Sequence, residues 1–146
     1  WLESLPESYT IFHYSPYEQE RIKLLATRYG DEGRASIEQF LASCVDLKEY
    51  VRETSILPLR VYSLKSIARF LGFQWQGEVH DGGESVDVYA RWLAEHNLKD
   101  LEDLCAYNAD DTRATRVLLA WLRAYATEET IYPAGTIWTG LSRILV

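Results

Sequence analysis

At 146 residues, with 22 acidic and 15 basic side chains and a formal net charge of −7, the chain is about one domain and is not a module that coats nucleic acid by bulk charge, since phosphate neutralisation supplies most nonspecific affinity. Cys44 and Cys105 lie far apart, lack C-x-x-C spacing and sit among apolar neighbours, so they read as buried free thiols of a reducing compartment. No apolar run approaches a membrane span and Trp1-Leu2-Glu3-Ser4-Leu5 lacks the basic start of a secretory signal, which predicts a cytoplasmic protein with no membrane partner.

In chain order, Tyr9-Thr10-Ile11-Phe12-His13 is β-branched and aromatic and predicts a short buried strand. Ser15-Pro16-Tyr17-Glu18 then opens a helix through about Tyr29, with Ser15 at the N-cap, Pro16 at the first helical position and Glu18 reaching back to complete a capping box. Gly30 to Gly33 breaks it, Ile37 to Ala42 is a further helical piece, and Cys44-Val45-Asp46-Leu47 reads as a second short strand. Asp46 is the N-cap of a helix that starts at Leu47. After a loop at Pro58, Ser63 caps a helix over Leu64 to Leu71 that stops at Gly72. Gly77 to Gly83 is a polar loop, followed by helices over Ser85 to His96 and Leu98 to about Tyr125. Residues 126–146 read as a docked tail or linker.

Within the last helix, Tyr107 and Asp111 stand four residues apart and share one face, one turn apart. That face continues as Leu104, Ala114, Leu118, Trp121 and Tyr125, so Asp111 interrupts an inward apolar stripe and needs a partner. Asp110 falls on a different side, next to Arg113, and reads as solvated charge. Acidic composition does not argue against nucleic-acid chemistry here, because a site that recruits divalent cations concentrates carboxylates and the metals reverse the local sign.

These segments resemble the RNase H-like 3′ to 5′ exonucleases of the DEDD type, tyrosine variant, and more closely the nuclease domains of that fold found beside RecB-type nuclease and helicase modules. The landmarks are His13-Tyr14-Ser15-Pro16-Tyr17-Glu18 after a strand, Val45-Asp46-Leu47, Tyr62-Ser63-Leu64-Lys65 before Leu71-Gly72-Phe73, Gly83-Glu84-Ser85-Val86 with Tyr89 and Trp92, and Tyr107 to Thr115. The resemblance implies an α/β fold of the ribonuclease H type, helix-rich, with residues 1–125 as the C-terminal part of an exonuclease domain whose first sheet strands are missing. It implies a nuclease holding two Mg²⁺ or Mn²⁺ ions with four carboxylates, Glu18 and Asp111 among them, and Tyr107 orienting the attacking water. Two metals about 4 Å apart suit an in-line displacement, and hard oxygen ligands suit those ions. His13, Tyr17 and Lys65 are the expected substrate contacts, and a single-stranded 3′ end and a helicase or RecB-type module the expected partners. The family's Asp-x-Glu pair has no counterpart here: Glu3 and Glu7 flank Leu5-Pro6, which is no buried central strand. The metal site is therefore incomplete and the fragment itself inactive or nearly so. A sheet lacking strands leaves an unpaired edge, which predicts a homodimer by strand addition or exchange.

Each residue also has a plainer account. Glu18 can cap only, Tyr107 can be a core tyrosine with a backbone partner, and Asp111 can pair with Arg60 or Arg69. His13 can be a satisfied structural histidine, and His80 and His96 stand apart from any cysteine pair, which predicts no zinc site. Trp92 and Trp121 fit core faces, while Trp75 is the more exposed candidate for base stacking. Lys65, Arg69, Arg52 and Arg60 form either a basic edge for a phosphate backbone or a solvated face. Beside the nuclease stand two other readings: a non-catalytic nucleic-acid or protein docking module on a nuclease-derived fold, and a helical interaction domain without nuclease ancestry.

Overall fold

The computed structural model describes residues 4–29, 34–79 and 81–125. The expectations for Glu3, Gly30 to Gly33, His80, the Tyr125 side chain and residues 126–146 lie outside the described residues. The order is β1 (Ile11–His13), α1 (Tyr17–Tyr29), α2 (Arg34–Ala42), β2 (Cys44–Asp46), α3 (Leu47–Thr54), α4 (Leu64–Phe70), α5 (Gly82–Glu95) and α6 (Leu98–Tyr125). The two strands pair in parallel, with Ile11 opposite Cys44, Phe12 opposite Val45 and His13 opposite Asp46. Parallel pairing requires a crossover, and α1 with α2 supplies it. The expected α/β class is therefore present, as a helix-rich fold around a two-stranded sheet among the described residues. No helix among them is long and apolar enough to cross a membrane.

Local chemistry accounts for most boundaries. Asp46 caps α3 by accepting from the Lys48 backbone N–H at 2.9 Å, and Ser63 caps α4 by accepting from that of Ser66 at 3.1 Å. Gly72, at φ +88°, ends α4 in a Schellman motif: its N–H donates to the Arg69 carbonyl and the Phe73 N–H to that of Ala68. Two expectations are corrected. The capping box at Ser15 does not form, because Ser15 has φ +79° and the first helical bond runs from Glu20 N–H to the Pro16 carbonyl, which makes Pro16 the N-cap. Helix α5 starts at Gly82 rather than Ser85, because the Asp81 carboxylate accepts from Glu84 N–H at 2.9 Å and carries two glycines into the first turn.

The main core gathers Tyr14, Leu47, Val51, Ile67 and Leu118, with Phe12, Val45, Trp121 and Leu122 among the side chains packed on it. A smaller one joins Val79, Val88 and Leu104, with Tyr107 against it. Helix α6 spans both clusters, and the predicted stripe is its buried face: Leu104, Ala114 and Leu118 are all buried. Burying one such leucine contributes about 2 kcal/mol. Trp92 lies outside both clusters, half-buried between Tyr89 and His96. The cysteines are free, but Cys105 is exposed and Cys44 only half-buried, which corrects the expectation of two buried thiols. Cys105 lies outside the inward stripe of α6.

Candidate functional site

A cleft of about 1020 Å³ opens between the β1–α1 turn and the middle of α6, and Glu18, Tyr107 and Asp111 all line it. These residues are separated by most of the chain, so the fold and not local sequence brings them together. The turn is held from inside. The Ser15 N–H donates to Asp46 Oδ1 at 2.8 Å, while His13 Nδ1 lies 2.7 Å from the Ser15 carbonyl and Nε2 lies 3.2 Å from the Gln19 side-chain nitrogen. This pattern assigns the proton to Nδ1 and leaves Nε2 accepting. His13 is buried with both nitrogens engaged, and its 3.8 Å approach to the Glu18 carboxylate is too long for a hydrogen bond. His13 therefore fixes the turn instead of presenting a free nitrogen to a substrate. Tyr17 and Glu18 are exposed at the cleft edge, with the Arg21 guanidinium 4.9 Å from the centre of the Tyr17 ring.

On α6, Asp111 finds neither Arg60 nor Arg69. Its Oδ1 accepts from the Trp75 indole N–H at 2.8 Å. The Schellman turn at Gly72 redirects the chain so that Trp75, braced edge-on by Phe73 at 4.9 Å, reaches back to α6. Trp75 is thus a half-buried ligand of the carboxylate and not an exposed stacking surface. Asp110 also departs from expectation: it is buried, accepting from Gln76 N–H at 2.8 Å and Arg113 Nη1 at 2.8 Å. Those bonds, the backbone one first, hold its carboxyl below the usual carboxylate range against the opposing effect of burial. Two adjacent aspartates therefore clamp the 75–77 segment onto the helix.

Burial, followed by the Asp111 charge and a hydrogen bond to it, pushes the Tyr107 phenol up from its ordinary value. Lys65 does not line the cleft. Its Nζ is buried without a hydrogen-bond partner among the described residues, 4.9 Å from the centre of the Tyr107 ring and 5.6 Å from that of Trp75, where ring quadrupoles offset part of its desolvation. Sequence reading misses Asn108, Thr112, Thr115 and Arg116, which also line the cleft. Thr115 and Leu119 continue from Asp111 at four-residue spacing, a signal the sequence does contain.

A family model of the RNase H superfamily matches residues 3–123. The chain belongs to the RNase H superfamily. No curated protein and no solved structure matches it. Membership confirms the ribonuclease H-like fold class and a nuclease-like domain, and it overturns the helical domain without nuclease ancestry, as does the strand-to-helix step at His13 to Glu18 beside Asp111. Nucleases of this superfamily generally use divalent metals. Among the described residues no group of three or more His, Cys, Asp or Glu side chains is placed to hold a metal. Glu18 and Asp111 are two carboxylates on one cleft, and one Asp111 oxygen already accepts from Trp75.

Proposed function

We propose that the intact protein hydrolyses nucleic-acid phosphodiester bonds as a metal-dependent 3′ to 5′ exonuclease of the DEDD type, tyrosine variant. The observation that carries this is the convergence of Glu18, Tyr107 and Asp111 on one cleft in a chain of the RNase H superfamily. In this reading Glu18 and Asp111 are two ligands of a Mg²⁺ or Mn²⁺ set that needs further carboxylates. The Tyr107 hydroxyl stays protonated at neutral pH and orients water, held by Asp111 on one side and by the Lys65 cation against its ring on the other. Tyr17 at the rim offers an exposed ring to a single-stranded 3′ end. A RecB-type nuclease or helicase module is the proposed neighbour that delivers the strand, and cytoplasm the proposed compartment.

Two carboxylates hold a hard divalent ion weakly. Calorimetric titration of this chain with Mn²⁺ is expected to show weak binding, and tight uptake of two ions would sink the incomplete-site reading. In the intact protein, a 3′-terminal ladder from a labelled single strand with Mn²⁺, abolished by Asp111→Asn, is the expected result. The absence of any three-acid group among the described residues favours a second reading, a non-catalytic docking module on the nuclease fold. Strand binding by the intact protein with no cleavage in Mn²⁺ decides for it.

A further inference from the structure

Beside the cleft, a second depression of about 540 Å³ is lined by Lys48, Arg52, Arg60, Val61 and Tyr62. No carboxylate lines it, in a chain whose net charge is −7. Outside it, Arg91 pairs with Asp100, Lys99 with Asp103 and Arg113 with Asp110. Among the described residues, Lys48, Arg52 and Arg60 form no ion pair. Three unmatched cations converging on one depression repel one another, and an anion relieves that cost.

The cluster is also preorganised. Lys48 and Arg52 stand four residues apart on α3 and share a face. The start of α3 is tied to the cleft rim through Asp46, whose Oδ1 accepts from both Lys48 N–H and Ser15 N–H. Arg60 comes from a pinned loop: the Tyr62 hydroxyl accepts from Leu57 N–H at 2.7 Å and the Tyr14 hydroxyl donates to the Tyr62 carbonyl at 2.7 Å. Lys48 lines both depressions, so the basic pocket and the cleft are neighbours on the surface. The exposed Val61 side chain adds an apolar contact suited to a sugar or base edge between the charges.

We propose that Lys48, Arg52 and Arg60 form a phosphodiester-binding subsite that holds the nucleic-acid strand where it leaves the Glu18–Tyr107–Asp111 cleft. The subsite rests on the nuclease reading for its ligand and recognises the backbone anion common to DNA and RNA. The test is fluorescence anisotropy with labelled thymidine and uridine oligonucleotides of about 15 nucleotides in EDTA, across a salt series. Arg52→Ala/Arg60→Ala is expected to weaken binding roughly tenfold at low salt and to reduce the salt slope by about 1.4, or about 0.7 for each phosphate no longer neutralised. Lys23→Ala/Lys99→Ala removes the same charge elsewhere and should stay within about twofold of the parent. Should the first pair disturb folding in a melt, Arg60→Ala alone, on an exposed loop position, is expected to weaken binding about threefold. Equal affinity of parent and the Arg52/Arg60 variants overturns the subsite and leaves the cleft reading standing. Equal weakening in both double variants overturns it in favour of bulk charge. A parent that binds neither oligonucleotide overturns the subsite and the nucleic-acid reading together.

Discussion

Asp110 and Asp111 carry the same functional group in adjacent positions, and the fold separates their work by about a hundred degrees of helix rotation. Asp111 faces the cleft with one oxygen on an indole, whereas Asp110 is spent on the backbone of Gln76. Asn at 111 retains an oxygen that can accept from Trp75, so Asp111→Asn should change the unfolding free energy by less than about 1 kcal/mol. If the proposed nuclease function holds, the same change should cut hydrolysis by a factor on the order of a hundred or more; a large stability loss with hydrolysis retained would make Asp111 structural. Trp75→Phe keeps the packing on Phe73 but deletes the donor, and denaturant unfolding should show a loss of about 1 to 2 kcal/mol. Asp111 is legible in the sequence because a charge inside a 3.6-residue apolar stripe announces itself. The burial of Asp110 is not, since its partner is a main-chain N–H 34 residues away and no periodicity encodes that. Trp75 escapes sequence reading for the same reason: its partner lies across the fold.

At the scale of elements, the turns that shape the site are fixed by single side chains. Asp46 serves α3 and the Ser15 turn with one oxygen, so Asp46→Ala should cost about 2 to 3 kcal/mol, against about 1 kcal/mol for removal of the ordinary cap at Asp81. Thermal melts of the two variants compare them directly, and equal destabilisation would deny Asp46 its second role. The caps at Asp46 and Ser63 and the stop at Gly72 can be read from sequence because each acts within a few residues. The start of α1 cannot: Ser15-x-x-Glu18 satisfies the capping pattern, yet the long-range bond to Asp46 holds Ser15 at positive φ and takes it out of cap geometry. Gly82-Gly83 misleads in the opposite direction, since glycine argues against helix while the Asp81 cap outweighs it.

For the whole molecule, pH dependence is set by where the charges sit. Asp110, and Asp100 held by the Arg91 guanidinium, both titrate below the ordinary carboxylate range in the fold. A depressed folded value means stability that is present above the unfolded value and lost as pH falls, so the melting temperature should drop below about pH 4. Asp110→Asn should flatten that acid limb; an unchanged limb would deny Asp110 that role. The Tyr14 phenol, pushed up to about 12 by burial and then by the Asp46 charge, works at the other end: its contribution is complete below about pH 10 and fades above it. The α/β class and element order are readable because the pattern switches from period 2 to period 3.6 along the chain. The convergence of α1, α4 and α6 on one cleft is not, because that is a property of packing.

Helix α6 is about 42 Å long, and Asp111 lies near its middle, seven residues ahead of the fully buried Leu118. A residue so placed has no private hinge. Its amide should exchange with deuterium only when the whole domain opens, at the same rate as that of Leu118 and far more slowly than the amides of Tyr17 and Glu18 at the exposed N-terminus of α1. The two halves of the cleft would then live on different clocks: an anvil that holds as long as the fold exists, and a rim that breathes above it.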